Sequence, residues 1–448
     1  MYFAREIDYF EIDGKHILLS LLTGACDVID DCTFSCLKQE NYSLLNTQTR
    51  DALIRRGYAF ESEGQYIRHI EAIDQKLEAE ERAQPPVFIL IPSYRCNLSC
   101  TYCFEKNYVR DPLEHPDGWN SQFNFILSAV ERSAFFGSGQ YNPREIDITL
   151  MGGEPLLDEN FEFVESAIAF AEEHGFSYSA VTNGVNLTTF IPLFERYSPG
   201  SVQVTLDGTK RIHDSRRVFI DGSGSFSRIV AGIHGLLSCG IPTYVRLNLD
   251  SGNAEDLPDF MRFIMEEFRG DPNCIPYVYP MQDGGCSYEE NILDERDAIE
   301  LVNRANADNP EAAIRSMFHG DDLIDFVAGS GKLRLRRRFC AATKNQYILD
   351  YSGNVYKCWY GAGKASASIG NCTTTSADKI IGGELNSRWM SRSISSISKC
   401  RQCKYRYLCG GGCLSHIYHG LESLGTPKCY DFHDLLEVQL KHLLRKRM

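Results

Sequence analysis

Val87-Phe88-Ile89-Leu90-Ile91, followed closely by Cys96-Asn97-Leu98-Ser99-Cys100-Thr101-Tyr102-Cys103, decides how the chain is read. Five apolar residues in a row, set off by Pro85-Pro86, have the length and branching of a buried parallel strand. The loop behind that strand carries three cysteines spaced C-x3-C-x2-C. Three thiolates on one loop can hold three irons of a cubane cluster and leave the fourth iron open. A closed structural zinc site wants four ligands, so half of a zinc knuckle is the bland alternative.

Outward from this loop the pattern repeats. Further strands are expected at 145–150, 178–182, 202–206, 243–248 and 275–279. Helical segments lie near 119–136, 159–174, 187–197, 225–238 and 256–269. Six strand–helix units predict an α/β fold with a partial parallel barrel, and working residues then belong at the C-terminal ends of the strands. Those ends carry polar motifs. Met151-Gly152-Gly153-Glu154-Pro155 closes the second strand, and its glycines allow close backbone approach; taken alone it also reads as a turn. Thr182-Asn183-Gly184 closes the third strand. Thr205-Leu206-Asp207-Gly208 closes the fourth, with His213-Asp214-Ser215-Arg216-Arg217 behind it. Arg246 and Asn248 end the fifth, where Arg246 reads equally as a structural ion pair.

The chain has 448 residues and seventeen cysteines. The odd count and the length argue against disulfide staples and for metal ligation. Eight of the cysteines fall between 340 and 429. Cys340 is followed by Gly353-x4-Cys358, then by Cys400-x2-Cys403-x5-Cys409-x3-Cys413, and after a gap by Cys429. A zinc ribbon accounts for Cys400 and Cys403 alone. Cys26, Cys32, Cys36, Cys239 and Cys274 have no partner spacing and read as buried thiols. Cys372 sits in a strand-or-turn segment and is one candidate for an extra ligand; Cys286 is the nearest cysteine upstream of Cys340.

Residues 1–84 read as a separate module. Strands are expected at 7–12 and 16–22 around the turn pair Asp13-Gly14, helices near 27–39 and 47–56 with Gly57 as cap, and a charged helix over 66–82. The formal charge of −14 argues against a sequence-blind nucleic-acid binder. No apolar run is long enough to span a membrane, and the N-terminus lacks a secretory pattern; a cytoplasmic protein is expected.

The cysteine loop, with aromatic Tyr102 before its last cysteine, and the Gly-Gly-Glu-Pro motif resemble the radical S-adenosylmethionine (SAM) superfamily. The C-terminal set resembles the SPASM domain of peptide and sulfatase maturases. The resemblance implies a partial (β/α)6 TIM-like barrel over 85–285, a helical connector over 286–335 and an auxiliary-cluster domain over 336–448. Residues 1–84 loosely resemble a winged-helix-like element that binds the leader of a precursor peptide, with a mere packing cap as the alternative. Implied metal ligands are Cys96, Cys100 and Cys103 for the SAM-binding cluster. Cys340, Cys358 and Cys413 would hold one auxiliary cluster, and Cys400, Cys403, Cys409 and Cys429 the other, giving three [4Fe–4S] clusters. Implied SAM contacts are Tyr102, Gly152, Gly153, Glu154, Asn183, Thr205, Arg217 and Arg246.

The expected activity is peptide maturation, with Cys thioether crosslinking preferred. Carbon–carbon crosslinking, epimerisation and sulfatase-type oxidation stay open. Sulfatase maturases carry an acidic residue after the G-x4-C cysteine; here it is Trp359. A precursor peptide and an electron donor such as flavodoxin or ferredoxin are the expected partners. A non-catalytic zinc adaptor is the reading from another class. The basic residues Lys332, Arg334, Arg336, Arg337 and Arg338 read as a solvated face or a peptide contact.

Overall fold

The structure is a computed structural model that describes residues 1–105, 119–136, 141–268, 270–282, 288–415 and 421–447. Cys286 lies outside them. At the N-terminus, β1 (Tyr2–Phe3) precedes a hairpin of β2 (Ile7–Ile12) and β3 (Lys15–Ser20). Asp13 and Gly14, with φ of 47° and 76°, make its two-residue turn, as a twisted hairpin requires. Next come β4 (Cys26–Ile29), helices Asp31–Lys38 and Thr47–Arg55, β5 (Ala59–Phe60) and the long helix Glu63–Ala83. The sequence pattern ran Asp27 into the following helix. In the fold Cys26–Ile29 instead pairs antiparallel with β3, and the helix starts only where Asp30 caps the N–H of Thr33.

The barrel strands are β6 (Val87–Ile91), β7 (Asp147–Leu150), β8 (Ser177–Thr182), β9 (Ser201–Thr205), β10 (Thr243–Leu249) and β11 (Cys274–Pro280). They pair in parallel, each beside the next. Beyond β11 the pair Arg315–Ser316 adds β12. On the other side β13 (Gln346–Asp350) joins β6 in parallel. It leads into β14 (Asn354–Tyr356) and β15 (Gly370–Asn371). The ten strands form one sheet, so the C-terminal Cys-rich segment extends the barrel sheet directly.

Alternation along the strands separates two environments. Phe88, Leu90, Ile148, Leu150, Val202, Val204, Val245 and Leu247 are buried against the helices. Phe190, Phe194, Ile229, Ile233 and Phe260 supply the helix side of that core. The intervening positions, such as Thr149, Ser179, Gln203 and Arg246, face the barrel interior. Asp147 accepts hydrogen bonds there from Thr149 at 2.7 Å and Ser179 at 2.9 Å. This polar interior opens at the C-terminal ends of the strands.

The region between 288 and 335 contains helices Glu295–Asp308 and Asp321–Ala328. The basic residues before Cys340 are less a solvated face than a clasp. Arg337 lies 3.1 Å from Glu78, Arg338 pairs with Glu81, and Arg336 meets Asp322 at 2.7 Å. Arg337 and Arg338 tie the long N-terminal helix to the start of the Cys-rich segment, and Arg336 ties it to helix Asp321–Ala328; Lys332 and Arg334 stay exposed.

Candidate functional site

A cavity of about 220 Å³ opens at the C-terminal ends of β6 to β11. Cys96, Cys100 and Cys103 line it, together with Tyr102, Gly152, Gly153, Glu154, Asn183, Thr205, Arg217 and Arg246. The three cysteines and all eight residues implied as SAM contacts line this one space. The three thiols could hold an iron–sulfur cluster, a soft-metal group suited to thiolate donors. Burial pushes the Cys96 thiol up to about 11, with the Glu154 carboxylate adding to the shift.

Gly152 and Gly153 have φ of 96° and 53°. A Cβ on Gly153 would stand 2.4 Å from the Arg95 carbonyl oxygen and 2.7 Å from that of Ser93. Gly153 is therefore explained first by close approach to the backbone that leads into the cysteine loop, and Gly152 by the Ile91 side chain, 2.8 Å from where its Cβ would be. The Gly153 N–H donates to Glu105 at 2.8 Å, and the Glu154 N–H donates to the Arg95 carbonyl at 2.8 Å.

The Glu154 side chain is buried. It accepts the Thr182 hydroxyl at 2.6 Å, the Asn183 N–H at 2.6 Å and the Leu156 N–H at 2.9 Å. Burial still raises its pKa above the ordinary carboxylate value. Asn183 reaches the cysteine loop through Asn97, at 2.7 Å.

Opposite lies a network that joins the candidates Tyr102 and Arg217 to Asp207, His213 and Asn248, which were not among them. Asp207 is fully buried and accepts the Tyr102 hydroxyl, while Arg217 donates to that hydroxyl at 2.6 Å. Asn248 donates its backbone N–H to Asp207 at 3.1 Å. His213 accepts the Asp207 N–H through Nδ1 at 3.2 Å, which leaves Nε2 to donate to Ser225 at 3.0 Å. Burial, then the charge of Arg217, lowers its pKa to about 3, so this imidazole is neutral. Asp207 was legible only as half of an Asp-Gly turn.

Arg246 donates to Asn248 at 2.8 Å, and its guanidinium lies 4.3 Å from the centre of the Tyr279 ring. Tyr279 and Tyr360 complete the wall beyond it, with Met281 and Gln282 at the rim. These four escaped the sequence reading because their side chains carry no spacing signal.

The C-terminal thiols fall into two groups. Burial, then the neighbouring Cys340 thiol, pushes Cys358 up to about 12, with Cys413 contributing. Cys340 is raised by burial and by Cys413. Separately, burial raises Cys409 to about 12, with Cys400, Cys403 and Cys429 as its charged neighbours. Gly410-Gly411-Gly412 makes this division possible. All three have positive φ, and a Cβ on Gly412 would stand 2.0 Å from the Lys428 carbonyl oxygen. The chain thus turns tightly between Cys409 and Cys413 and runs beside the Cys429 segment.

Buried Arg392 lies in the field of thiols from both groups, and donates to the Gly411 carbonyl at 2.8 Å and to that of Thr426 at 2.9 Å. Among the described residues no three His, Cys, Asp or Glu groups converge as a single-ion site. Of the unclustered cysteines Cys36 is buried, whereas Cys32 is exposed and Cys26, Cys239 and Cys274 are half-buried. Cys32, at the helix start, departs from the buried-thiol expectation.

Comparison with known proteins accords with this layout. Residues 90–264 match the radical SAM superfamily, and residues 340–404 match the SPASM iron–sulfur cluster-binding domain. A cysteine-type anaerobic sulfatase-maturating enzyme of Clostridium novyi is 23% identical over 72% of this chain and 85% of its own. The radical SAM cyclopropyl synthase TigE of Paramaledivibacter caminithermalis is 22% identical, over 80% and 73%. The solved fold of anSMEcpe with bound AdoMet superposes with a TM-score of 0.62 at 19% identity, covering 81% of this chain and 95% of that one. Streptococcus suis SuiB bound to its precursor peptide SuiA gives 0.55 at 13% identity, over 94% and 98%. No helix of the described residues is long and apolar enough to cross a membrane. The chain is a radical SAM enzyme with a C-terminal SPASM iron–sulfur domain.

Proposed function

We propose that the enzyme matures a ribosomally made peptide by joining a cysteine sulfur to a carbon of another residue. One observation carries this reading. Tyr279 and Tyr360 line the SAM-side cavity and also lie in the field of the three-thiol group, Tyr279 near Cys413 and Cys340, Tyr360 near Cys413 and Cys358. A thiol-binding centre and the barrel mouth therefore share one wall.

Cys96, Cys100 and Cys103 would hold the first cluster. Glu154, Asn183, Thr205, Arg217, Arg246, Tyr102 and the backbone of Gly152 and Gly153 would surround SAM. When bound, these groups supply a 5′-deoxyadenosyl radical able to abstract hydrogen. The protein's own work is orientation. Thr182 and Asn183 fix the Glu154 carboxylate, and Asp207 fixes Tyr102. Preorganisation of this kind can lower a barrier by several kcal/mol.

Cys340, Cys358 and Cys413 would hold one auxiliary cluster through three corners, and Cys400, Cys403, Cys409 and Cys429 a second through four. A cluster held by these three thiolates would have a fourth corner for a peptide thiolate, a soft ligand. Strand pairing argues against Cys372 as that ligand. Its N–H bonds the Gly353 carbonyl at 2.7 Å, five residues before Cys358. At about 3.3 Å per extended residue that is roughly 16 Å of strand, more than one cubane spans.

The N-terminal module offers a place for the leader. β4 is an edge strand, so alternate backbone groups point outward. Cys26 and Val28 border a groove of about 200 Å³ formed with Phe326, Val327, Leu443 and Leu444. An extended leader added at this edge would hydrogen-bond to β4 and seat side chains in the groove.

The test is mass spectrometry of a short Cys-containing peptide encoded beside this chain's gene, after anaerobic co-expression. Thioether formation predicts a net loss of two hydrogens and a blocked thiol, and no change when that Cys is replaced by Ser. The sulfatase-maturating relative supports a second reading, oxidation of a Cys or Ser side chain to an aldehyde. That product would be uncrosslinked and would react with a hydrazine probe.

A further inference from the structure

The loop between Cys403 and Cys409 makes its ion pairs with the N-terminal module. Lys404 Nζ donates to Asp8 at 2.7 Å, and the Tyr405 hydroxyl donates to the same carboxylate. His433, four residues after Cys429, places its Nδ1 3.0 Å from Asp8. Arg406 lies 2.8 Å from Glu6, whose other oxygen accepts the Tyr66 hydroxyl at 2.9 Å. Tyr407 packs with Leu22 and Leu77, and Leu408 with Phe10, Ile12 and Ile17. Lys404, Tyr405 and Arg406 thus anchor the loop on Glu6 and Asp8, while Tyr407 and Leu408 join cores shared with residues 1–84.

Glu6 and Asp8 are 0% and 1% exposed. A buried carboxylate persists only where charge and hydrogen bonds compensate it. Here the compensating charges are Lys404 and Arg406 of the loop, with Tyr66 and His433 adding hydrogen bonds, so the loop and the two carboxylates complete each other.

We propose that Glu6 and Asp8 are positioning residues of the four-cysteine centre and couple the N-terminal module to it. This rests on the reading that Cys400, Cys403, Cys409 and Cys429 hold a cluster. Assembly of the centre fixes the 404–408 loop, and the fixed loop completes the sites of Glu6 and Asp8. Linkage makes the effect reciprocal: whatever steadies the module steadies the centre by the same factor. A peptide docked on the module would therefore be felt at the centre without touching it.

The test uses full-length protein reconstituted anaerobically with iron and sulfide. The Glu6→Gln/Asp8→Asn variant keeps shape and removes both charges. Three quantities are read: iron per chain, the electron paramagnetic resonance spectrum after reduction, and hydrogen exchange at 404–408. The inference expects one auxiliary signal to shift or vanish and exchange at 404–408 to rise about tenfold, while SAM cleavage stays within about twofold. Arg56→Gln breaks the exposed Arg56–Asp27 pair elsewhere in the module, a contact that stabilises little, and should change all three far less than the double variant does. Should the double variant fold poorly, Lys404→Met approaches the same contact from the loop side and should reproduce the spectral shift.

About twelve irons in both proteins, with identical spectra and exchange, would overturn the inference and leave the cluster reading intact. About four irons in the wild type would overturn the cluster reading, and the inference with it.

Discussion

Arg217 Nη1 donates to the Tyr102 hydroxyl at 2.6 Å, joining the residue after helix Lys210–Arg216 to the cysteine loop across the cavity mouth. Arg217 is buried. Its charge is balanced by Asp207 and by the field of Cys100. Arg217→Met removes the cation at the cavity wall and leaves Asp207 with Arg216 as its cationic neighbour. SAM affinity, read by equilibrium dialysis, should fall at least about tenfold, the effect of losing one charged hydrogen bond of about 1.5–3 kcal/mol. Iron content should hold. Unchanged affinity would place the cofactor away from Arg217.

Gly153→Ala tests the fit between the second strand end and the cysteine loop. The added Cβ meets two carbonyl oxygens of the 93–95 backbone at a positive φ. Neither can swing away as a flexible side chain would. The variant should lose about 2 kcal/mol or more in chemical denaturation and bind about four fewer irons, with the C-terminal centres intact.

Much of the barrel was legible because buried parallel strands are short, apolar and β-branched. All six of its main strands lie within two residues of their expected limits. The strand-end motifs were legible because parallel topology sends strand ends to one mouth. Long-range partners decided what was missed. Cys26–Ile29 becomes a strand only because β3 lies beside it. Arg315–Ser316 is too short for any pattern. The parallel pairing of β13 with β6 joins residues about 260 apart in sequence, and no local signal announces it. Asp207, Tyr279 and Tyr360 matter by position in space alone.

Asp321 gives a pH signature. It accepts the Phe318 N–H at 2.8 Å and the Gln439 amide at 2.9 Å, yet burial pushes its carboxyl up to about 6 from 3.8. The folded state binds this proton more tightly than the unfolded state. The stabilisation is therefore complete below about pH 4 and is lost as pH rises through about 6, amounting to at most about 3 kcal/mol. Asp321→Asn should flatten that part of the stability profile. Parallel wild-type and variant profiles in urea titrations would contradict the assignment.

Cys372→Ala separates the open three-thiol centre from a closed one. Iron content, the reduced spectrum and peptide modification should all match wild type. Loss of about four irons from this variant alone would make Cys372 a ligand.

The most direct measurement counts iron and 5′-deoxyadenosine together, in wild type and in Cys100→Ala, after anaerobic reconstitution and reduction with dithionite in the presence of SAM. Three cubanes predict about twelve irons per chain in the wild type and about eight in the variant. The wild type should release 5′-deoxyadenosine, and Cys100→Ala should release none. A colourless wild type carrying zinc in place of iron, or a Cys100→Ala protein that cleaves SAM as fast as wild type, would contradict the account.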